Sequence, residues 1–137
     1  MSTRTTGNLG ERLAASYLRR KGYKILATNY FLLANHGPKV AEIDIIAKKA
    51  GIFVFVEVKT IKANSKFLAQ DKVNEMKKWK IAKAAEMWLI KNNIPLNAKW
   101  QIDVIAIELL PDTRQPLLQK LLGPKHKLSH FENISLY

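Results

Sequence analysis

Three charged side chains interrupt two apolar stretches of the chain. Glu57 and Lys59 belong to the otherwise apolar run that begins at Ile52, and Asp44 lies among isoleucines shortly before it. A buried, unpaired carboxylate is strongly unfavourable, so each acid needs a partner. On a strand, Glu57 and Lys59 point to the same face, about 6–7 Å apart at their Cα atoms. If the two strands pair, both carboxylates and the ammonium group converge, which is the arrangement that divalent-metal phosphodiester chemistry requires.

Each acid that could belong to this site has more than one interpretation. Glu57 is either a metal ligand or a buried acid held by a salt bridge to a lysine. Glu42 shares a strand face with Asp44 and replaces it as a ligand if the register is shifted. Glu11 has Ala15 rather than a base at i+4, so it either points inward as a third carboxylate or is a solvated first-turn acid.

The charge balance of the chain indicates a polyanionic partner. The 137 residues include 23 Lys and Arg against 11 Asp and Glu, a formal net charge of +12. We expect nucleic acid rather than anionic lipid or a merely solubilising surface. The sequence has no apolar run of about 20 residues and no signal-peptide core, so we expect a cytoplasmic protein with no membrane partner. Because cysteine is absent, disulfides and thiolate zinc sites are excluded.

A long helix, predicted from about Asp71 to Lys91, carries a cluster of lysines in its N-terminal half. They are Lys72, Lys77, Lys78, Lys80 and Lys83. The helix macrodipole disfavours cations at that end, which indicates a compensating partner. Lys77 and Lys78 lie near the direction of the apolar stripe, so we expect them over the site and in contact with phosphates; a solvated basic face is the alternative. Trp79 either stacks on a base or packs at the rim.

The elements that must position these residues follow from periodicity and turn signals. A first helix runs from Thr5 or Thr6 to about Lys21, and Gly22 ends it. The predicted strands are Tyr23 to Leu33, Val40 to Lys48, Ile52 to Thr60, Trp100 to Leu109 and a short edge strand within Lys127 to Tyr137, with Pro111 to Pro116 a loop. Lys49-Ala50-Gly51 makes the second and third strands a hairpin. The order α-β-β-β-α-β predicts an α/β fold, a single mixed β-sheet flanked by helices, in one domain over residues 1–137.

Other residues with chemical potential carry weaker signals. His126 and His130 are four residues apart, but Gly123-Pro124 just upstream disfavours the helix that would align them as a zinc pair. Asp103, in a predicted strand, either orients a site lysine or marks a strand end. The sequence contains no Gly-rich phosphate loop, nucleophile elbow or cysteine-histidine pair, which removes most competing enzyme classes.

Motifs along nearly the whole chain resemble one protein family. They are Gly7 to Glu11, Gly22-Tyr23 and Asn29, Glu42 to Ile46, Phe55 to Thr60, Lys77, Lys80-Ile81, Trp88-Leu89, Ile102 to Val104 and Ser129 to Asn133. Together they are similar to the YraN family, also called UPF0102. The resemblance implies the restriction-endonuclease-like fold of the PD-(D/E)XK nucleases, kin to archaeal Holliday-junction resolvases.

The resemblance also implies a catalytic site. Asp44, Glu57 and Lys59 match the nuclease core, and Glu11 matches the helix acid that often completes it. We therefore expect a DNA endonuclease that acts on branched or damaged DNA with Mg²⁺, or Mn²⁺ as a substitute. In this hypothesis Asp44, Glu57, Glu11 and the Val58 carbonyl bind the metal, and Lys59 orients the hydrolytic water.

The same reasoning predicts which residues contact a partner, and two other functions compete with the nuclease hypothesis. Lys72, Lys77, Lys78 and Lys80 are the expected phosphate contacts, and a homodimer is expected because enzymes of branched DNA are often symmetric. The main alternative is a catalytically inactive nucleic-acid-binding protein that retains the nuclease fold. Ile61 and Gln101, which stand where the family commonly has arginine, make this alternative relevant. A structural partner of a larger assembly is the third hypothesis.

Overall fold

A computed structural model of the chain describes residues 3–34, 37, 39–62 and 74–134, with side chains from Gly7 onward. The helices are α1 (Thr3–Arg20), α2 (Glu75–Lys91) and α3 (Pro116–Leu122), and the strands are β1 (Lys24–Leu33), β2 (Lys39–Lys49), β3 (Ile52–Ile61), β4 (Trp100–Leu109) and β5 (His126–Phe131). The strands form one five-stranded sheet in the order β1-β2-β3-β4-β5. Only β3 and β4 are parallel among these pairs. The predicted α/β class with one mixed sheet is confirmed.

The turn between β2 and β3 sets the register of the site. Ala50 and Gly51 both have left-handed backbone angles, φ 52° and 79°, as a two-residue type I′ hairpin requires. Lys49 is therefore opposite Ile52, and the pairing continues to Ile45 opposite Val56. One further step along the same register sets Asp44 beside Glu57, which follows Val56 directly. The short turn thus determines which two acids meet.

Two helices cover the two faces of the sheet. On one face α2 packs through Ile81 and Trp88 against Phe55. On the other face α1 packs through Leu18 against a cluster that includes Val56. Successive β3 side chains alternate between these faces, so Phe55 and Glu57 lie on the α2 side and Val56 lies on the α1 side.

The starts of two helices differ from the sequence predictions. α1 begins at Thr3 rather than at Thr5 or Thr6. α2 begins at Glu75, because Asn74 is its N-cap and accepts a hydrogen bond from the Lys77 N–H at 2.8 Å. The residues before Asn74, including Asp71, lie outside the described part of the chain.

A short helix also lies beyond the predicted loop. α3 starts at Pro116, the last residue of that loop, and proline is well suited to a first helical position because its missing N–H has no helical partner. The loop before it is braced by Arg114, which bonds Asp112 and the Gly123 carbonyl. Within the described residues, no helix is long and apolar enough to cross a bilayer.

Candidate active site

The predicted pair of acids meets where β2 and β3 separate. The strand pairing stops at Ile45 and Val56, and the next contact is made by a side chain: Asp44 Oδ2 accepts a hydrogen bond from the Val58 N–H at 2.7 Å. Asp44 is 9% exposed and Glu57 is 5% exposed. The end of the ladder therefore holds two buried carboxylates beside each other. Val58 contributes its N–H here, and its carbonyl stays a predicted metal ligand.

Two lysines neutralise one of these carboxylates. The Lys59 Nζ lies 3.6 Å from Glu57 Oε1, and the Lys77 Nζ hydrogen-bonds the same oxygen. Lys59 arrives from the same strand face as Glu57, whereas Lys77 arrives from the first turns of α2. Both predicted basic residues thus contact the acid itself. Sequence reasoning placed Lys77 over the site as a phosphate contact and did not anticipate this ion pair.

Asp44 is less well compensated than Glu57. Burial raises the pKa of Asp44 to about 8, and the negative charges of Glu57 and, more weakly, Glu11 add to the effect. The Val58 N–H acts in the opposite direction but does not outweigh burial. Asp44 therefore carries a proton at neutral pH in the absence of a cation. A divalent cation placed beside it would favour the ionised form.

The two site lysines are shifted in opposite directions. Burial and the adjacent Lys77 lower the pKa of Lys59, and the attraction of Glu57 only partly offsets them. Burial also acts to lower the pKa of Lys77, but its hydrogen bond and charge attraction to Glu57 outweigh burial and raise it. Two neighbouring groups whose pKa values shift in opposite directions can take different roles, one as a proton acceptor and the other as a lasting charge. Lys59 is the better proton acceptor, and Lys77 is the more persistent cation.

Glu11 lies near this pair without joining it. Burial raises the pKa of Glu11, with contributions from the charges of Glu42 and Glu57, while a hydrogen bond from Asn29 lowers it. Among the described residues, Glu11 does not form a group of three ligand-type side chains within 4.8 Å with Asp44 and Glu57. Glu42, the fallback ligand, is bound to Lys39 at 3.1 Å. Glu11 is therefore only partly buried, between the inward and the solvated alternatives, and its role as a direct ligand stays a prediction.

A glycine brings the helix of Glu11 close to the site. Gly10 is buried, and a Cβ at this position would overlap the Thr60 Oγ1. Glycine within a helix is costly compared with alanine, so its presence marks a close approach of two backbones. That signal was available in the sequence. Asn29, whose φ of 52° is unusual for a non-glycine residue, offered no comparable signal.

The basic residues of α2 border an open cleft beside the acids. This cleft has a volume of about 420 Å³, and its walls include Glu42, Lys77 and Lys80. Lys78 instead forms a salt bridge with Glu75 at 2.8 Å. Lys72 lies outside the described residues. Lys77, although paired with Glu57, and Lys80 line the cleft, whereas Lys78 is not among its lining residues, and contact of these lysines with a polyanion stays a prediction.

The remaining predicted candidates lie elsewhere. Asp103 is fully buried, and His130 Nε2 lies 2.7 Å from its Oδ2, so it neither orients a site lysine nor ends a strand. Both histidines are in strand β5 rather than in a helix, and His126 bonds the Pro124 carbonyl. Trp79 is 58% exposed, with the Lys83 Nζ 5.4 Å from its ring centroid.

Comparison with known proteins identifies the family. The model of the uncharacterised protein family UPF0102 matches residues 10–107. A UPF0102 protein of Clostridioides difficile is 41% identical over 111 residues, which cover 80% of this chain and 90% of the relative. One of Pelobacter propionicus is 37% identical over 132 residues, covering 95% of this chain and 81% of the relative. The chain belongs to the UPF0102 family, so the predicted family is confirmed.

Proposed function

We propose that this UPF0102 protein is a divalent-metal-dependent endonuclease that hydrolyses phosphodiester bonds in DNA. The observation that supports the proposal best is the adjacent, buried pair of Asp44 and Glu57, with Lys59 and Lys77 against one of the two carboxylates. A hydrophobic sheet tolerates such a group of charges poorly, and burial and the charge of Glu57 raise the pKa of Asp44 to about 8, so a divalent cation beside Asp44 would offset the cost of its charge. The restriction-endonuclease-like class proposed from the sequence has the same strand and helix order.

The donor set fits Mg²⁺. Carboxylate and carbonyl oxygens are the ligands that this ion prefers, and Mn²⁺ accepts the same ones. Asp44, Glu57 and the Val58 carbonyl would hold the ion, and the charge of Glu11 would add to its attraction. When bound, the ion polarises a phosphoryl oxygen and makes a nearby water more acidic.

The residues of the chain supply the other tasks of hydrolysis. The lowered pKa of Lys59 makes its deprotonated form more accessible, and this form accepts a proton from the water whose oxygen attacks phosphorus, as the bond from phosphorus to the leaving oxygen breaks. Lys77 keeps its positive charge and offsets the negative charge on the phosphoryl oxygens. Lys80, on the wall of the same cleft, contacts a neighbouring phosphate of the strand. The substrate class within DNA is proposed to be branched or damaged.

A cleavage assay tests this proposal. Four-way junctions, single strands and linear duplexes would be incubated with wild-type protein and Mg²⁺ or Mn²⁺. Glu57→Gln and Asp44→Asn should each lower the cleavage rate at least 100-fold, because both remove a metal ligand. Glu86→Gln, an exposed acid of α2, is the matched control and should leave the rate unchanged. Absence of cleavage of every substrate by wild type, or equal cleavage by Glu57→Gln, would contradict the proposal.

A nucleic-acid-binding protein without turnover is the second candidate, and one observation favours it. The Lys77 ammonium group already occupies the Glu57 oxygen that a metal would use. If this ion pair persists, the acids serve only to fix α2 against the sheet. Salt-dependent DNA binding without metal binding in calorimetry would support this candidate over the enzyme.

A further inference from the structure

A second polar cluster lies on the opposite face of the sheet from Glu57. Asp103 is paired with Val56, one residue before Glu57, so its side chain points toward α1. His130 on β5 lies against it, and Glu132 follows shortly after that strand. One ligand-type atom from each of Asp103, His130 and Glu132 lies within 4.8 Å of the others, the one such group of three among the described residues.

Each member of this cluster is held by a further partner. His130 Nδ1 lies 3.0 Å from the Tyr17 hydroxyl. The Asp103 Oδ1 accepts from the Gln101 side chain at 2.9 Å and from the Asn133 N–H at 2.8 Å. Glu132 Oε1 accepts from the Tyr23 hydroxyl at 3.4 Å. Outer partners that orient imidazole and carboxylate ligands in this way are typical of metal sites.

The charge of the cluster is unbalanced. It contains two carboxylates, and the sole basic group within 4 Å of either, among the described residues, is the His130 imidazole. Lys49 approaches the same region, but its Nζ lies over the Tyr23 ring at 4.9 Å. A local excess of negative charge is unexpected in a chain with a net charge of +12. A small cation would correct it.

One member of this cluster, Glu132, borders a solvent-accessible cavity. A cavity of about 200 Å³ is bordered by Tyr23, Lys49, Gln101 and Glu132 among its lining residues. Glu132 is exposed, whereas Asp103 is fully buried and the His130 side chain is 8% exposed. An ion entering from the cavity would therefore meet the exposed Glu132 carboxylate first and the buried Asp103 and His130 behind it, with water completing its coordination.

We propose that Asp103, His130 and Glu132 form a binding site for a divalent transition-metal ion, with Zn²⁺ the best match. One imidazole and two carboxylates suit Zn²⁺ better than Mg²⁺, which prefers oxygen ligands alone. Zn²⁺ binds such atoms at about 2.0–2.2 Å. Two ligands of a tetrahedral Zn²⁺ are about 3.4 Å apart, so His130 Nε2 and Asp103 Oδ2, now 2.7 Å apart, need to separate by about 0.7 Å to admit it.

Tyr17 allows His130 to change its tautomer when the ion binds. Without metal, the tautomer of His130 with its proton on Nε2 donates to Asp103 and accepts at Nδ1 from the Tyr17 hydroxyl. With metal, the Nε2 lone pair binds the ion and Nδ1–H donates to the Tyr17 oxygen, because a phenol can donate or accept. Exchange with solvent moves the ring proton from Nε2 to Nδ1, so His130 keeps one ring proton when the ion binds. The ion would join β4 and β5 and, through Tyr17, hold α1.

Titration with ZnCl₂ in a calorimeter tests this site. The Asp44→Asn variant is the background, so that the other acid pair is disabled. We expect one Zn²⁺ per chain at micromolar or tighter affinity, at least 50-fold weaker binding after His130→Gln or Glu132→Gln, and about 10-fold weaker binding after Tyr17→Phe. His126→Gln, on the same strand, is the matched control and should change affinity less than twofold.

Glu132→Gln keeps the test decisive if His130→Gln does not fold, because Glu132 is exposed and its replacement leaves the buried pair intact. Thermal unfolding with and without Zn²⁺ gives a second readout, since an ion bound only to the folded state raises Tm. Binding weaker than about 100 μM, or binding that Glu132→Gln leaves unchanged, would overturn the proposal. Neither result depends on whether the protein cleaves DNA.

Discussion

Replacement of Asp44 by asparagine should stabilise the metal-free protein at pH 8. Burial first, and then the charge of Glu57, raise the pKa of Asp44 from its ordinary value of 3.8 to about 8 in the folded state. The folded protein therefore keeps a proton that the unfolded chain releases, so the stability that Asp44 contributes is full below its unfolded pKa and is lost as pH rises to about 8. Asparagine can still accept from Val58 and donate to Glu57, as the protonated acid does, but it cannot ionise.

The size of the gain follows from this shift in the pKa of Asp44. A difference of about four units corresponds to about 5 kcal/mol, at 1.36 kcal/mol per unit. Because part of the shift comes from the charge of the neighbouring Glu57, and because water can reach the separated strand ends, we expect about 2 kcal/mol of this to appear at pH 8. For a domain of this length, that free energy corresponds to a rise in Tm of about 7 °C.

Thermal or urea unfolding in EDTA between pH 5 and pH 8 measures this effect. The difference between Asp44→Asn and wild type should grow with pH, whereas Glu86→Gln should follow wild type at every pH. Mg²⁺ should stabilise wild type but not Asp44→Asn, because the ligand is gone. An asparagine variant no more stable than wild type at pH 8, or a difference that is constant with pH, would refute the claim that Asp44 is poorly compensated without metal.

The remaining predictions concern helix docking, DNA binding and the role of Lys59. Gly10→Ala should lower the free energy of unfolding by about 1–2 kcal/mol in urea denaturation because its Cβ overlaps the Thr60 Oγ1, and Thr60→Ala should recover part of this loss in the double variant. The double variant Lys77→Ala, Lys80→Ala should lower the slope of log affinity against log salt by about 2 in DNA-binding titrations. Lys59→Met should lower the cleavage rate by at least about 100-fold and remove its rise with pH, as measured in the pH-rate profile.

The strands and the meeting of Asp44 with Glu57 could be predicted from the sequence because both depend on residues that are near each other in the chain. Strand pairing in a hairpin follows from the turn: the sequence predicted a turn at Lys49-Ala50-Gly51, and the structure narrows it to Ala50-Gly51, which places Asp44 and Glu57 together. Apolar residues on both faces of β3 likewise fit its central position in the sheet. These are local patterns, in which residues near in sequence determine each other's geometry.

Contacts between distant segments could not be predicted in this way. Lys77 reaches Glu57 only because α2 packs on one particular face with one particular rotation, and its lysine-rich N-terminal half is compatible with several rotations. The bonds of Asp103 to His130 and Asn133 join residues about thirty apart in sequence. Such pairs depend on the alignment of β4 with β5, which no turn motif in the chain determines.

The register of β3 against β4 keeps the two carboxylate clusters apart. Glu57 is opposite Val104, and Asp103 is opposite Val56, so acids that lie almost level with each other point to opposite faces. A shift of one residue between these strands would bring both acids to one face and leave valines toward the other. The resulting repulsion would add to the loss of apolar packing against α1 and α2. The two acid clusters therefore help to specify the parallel pairing itself, and we expect each to be occupied by a cation only in this register.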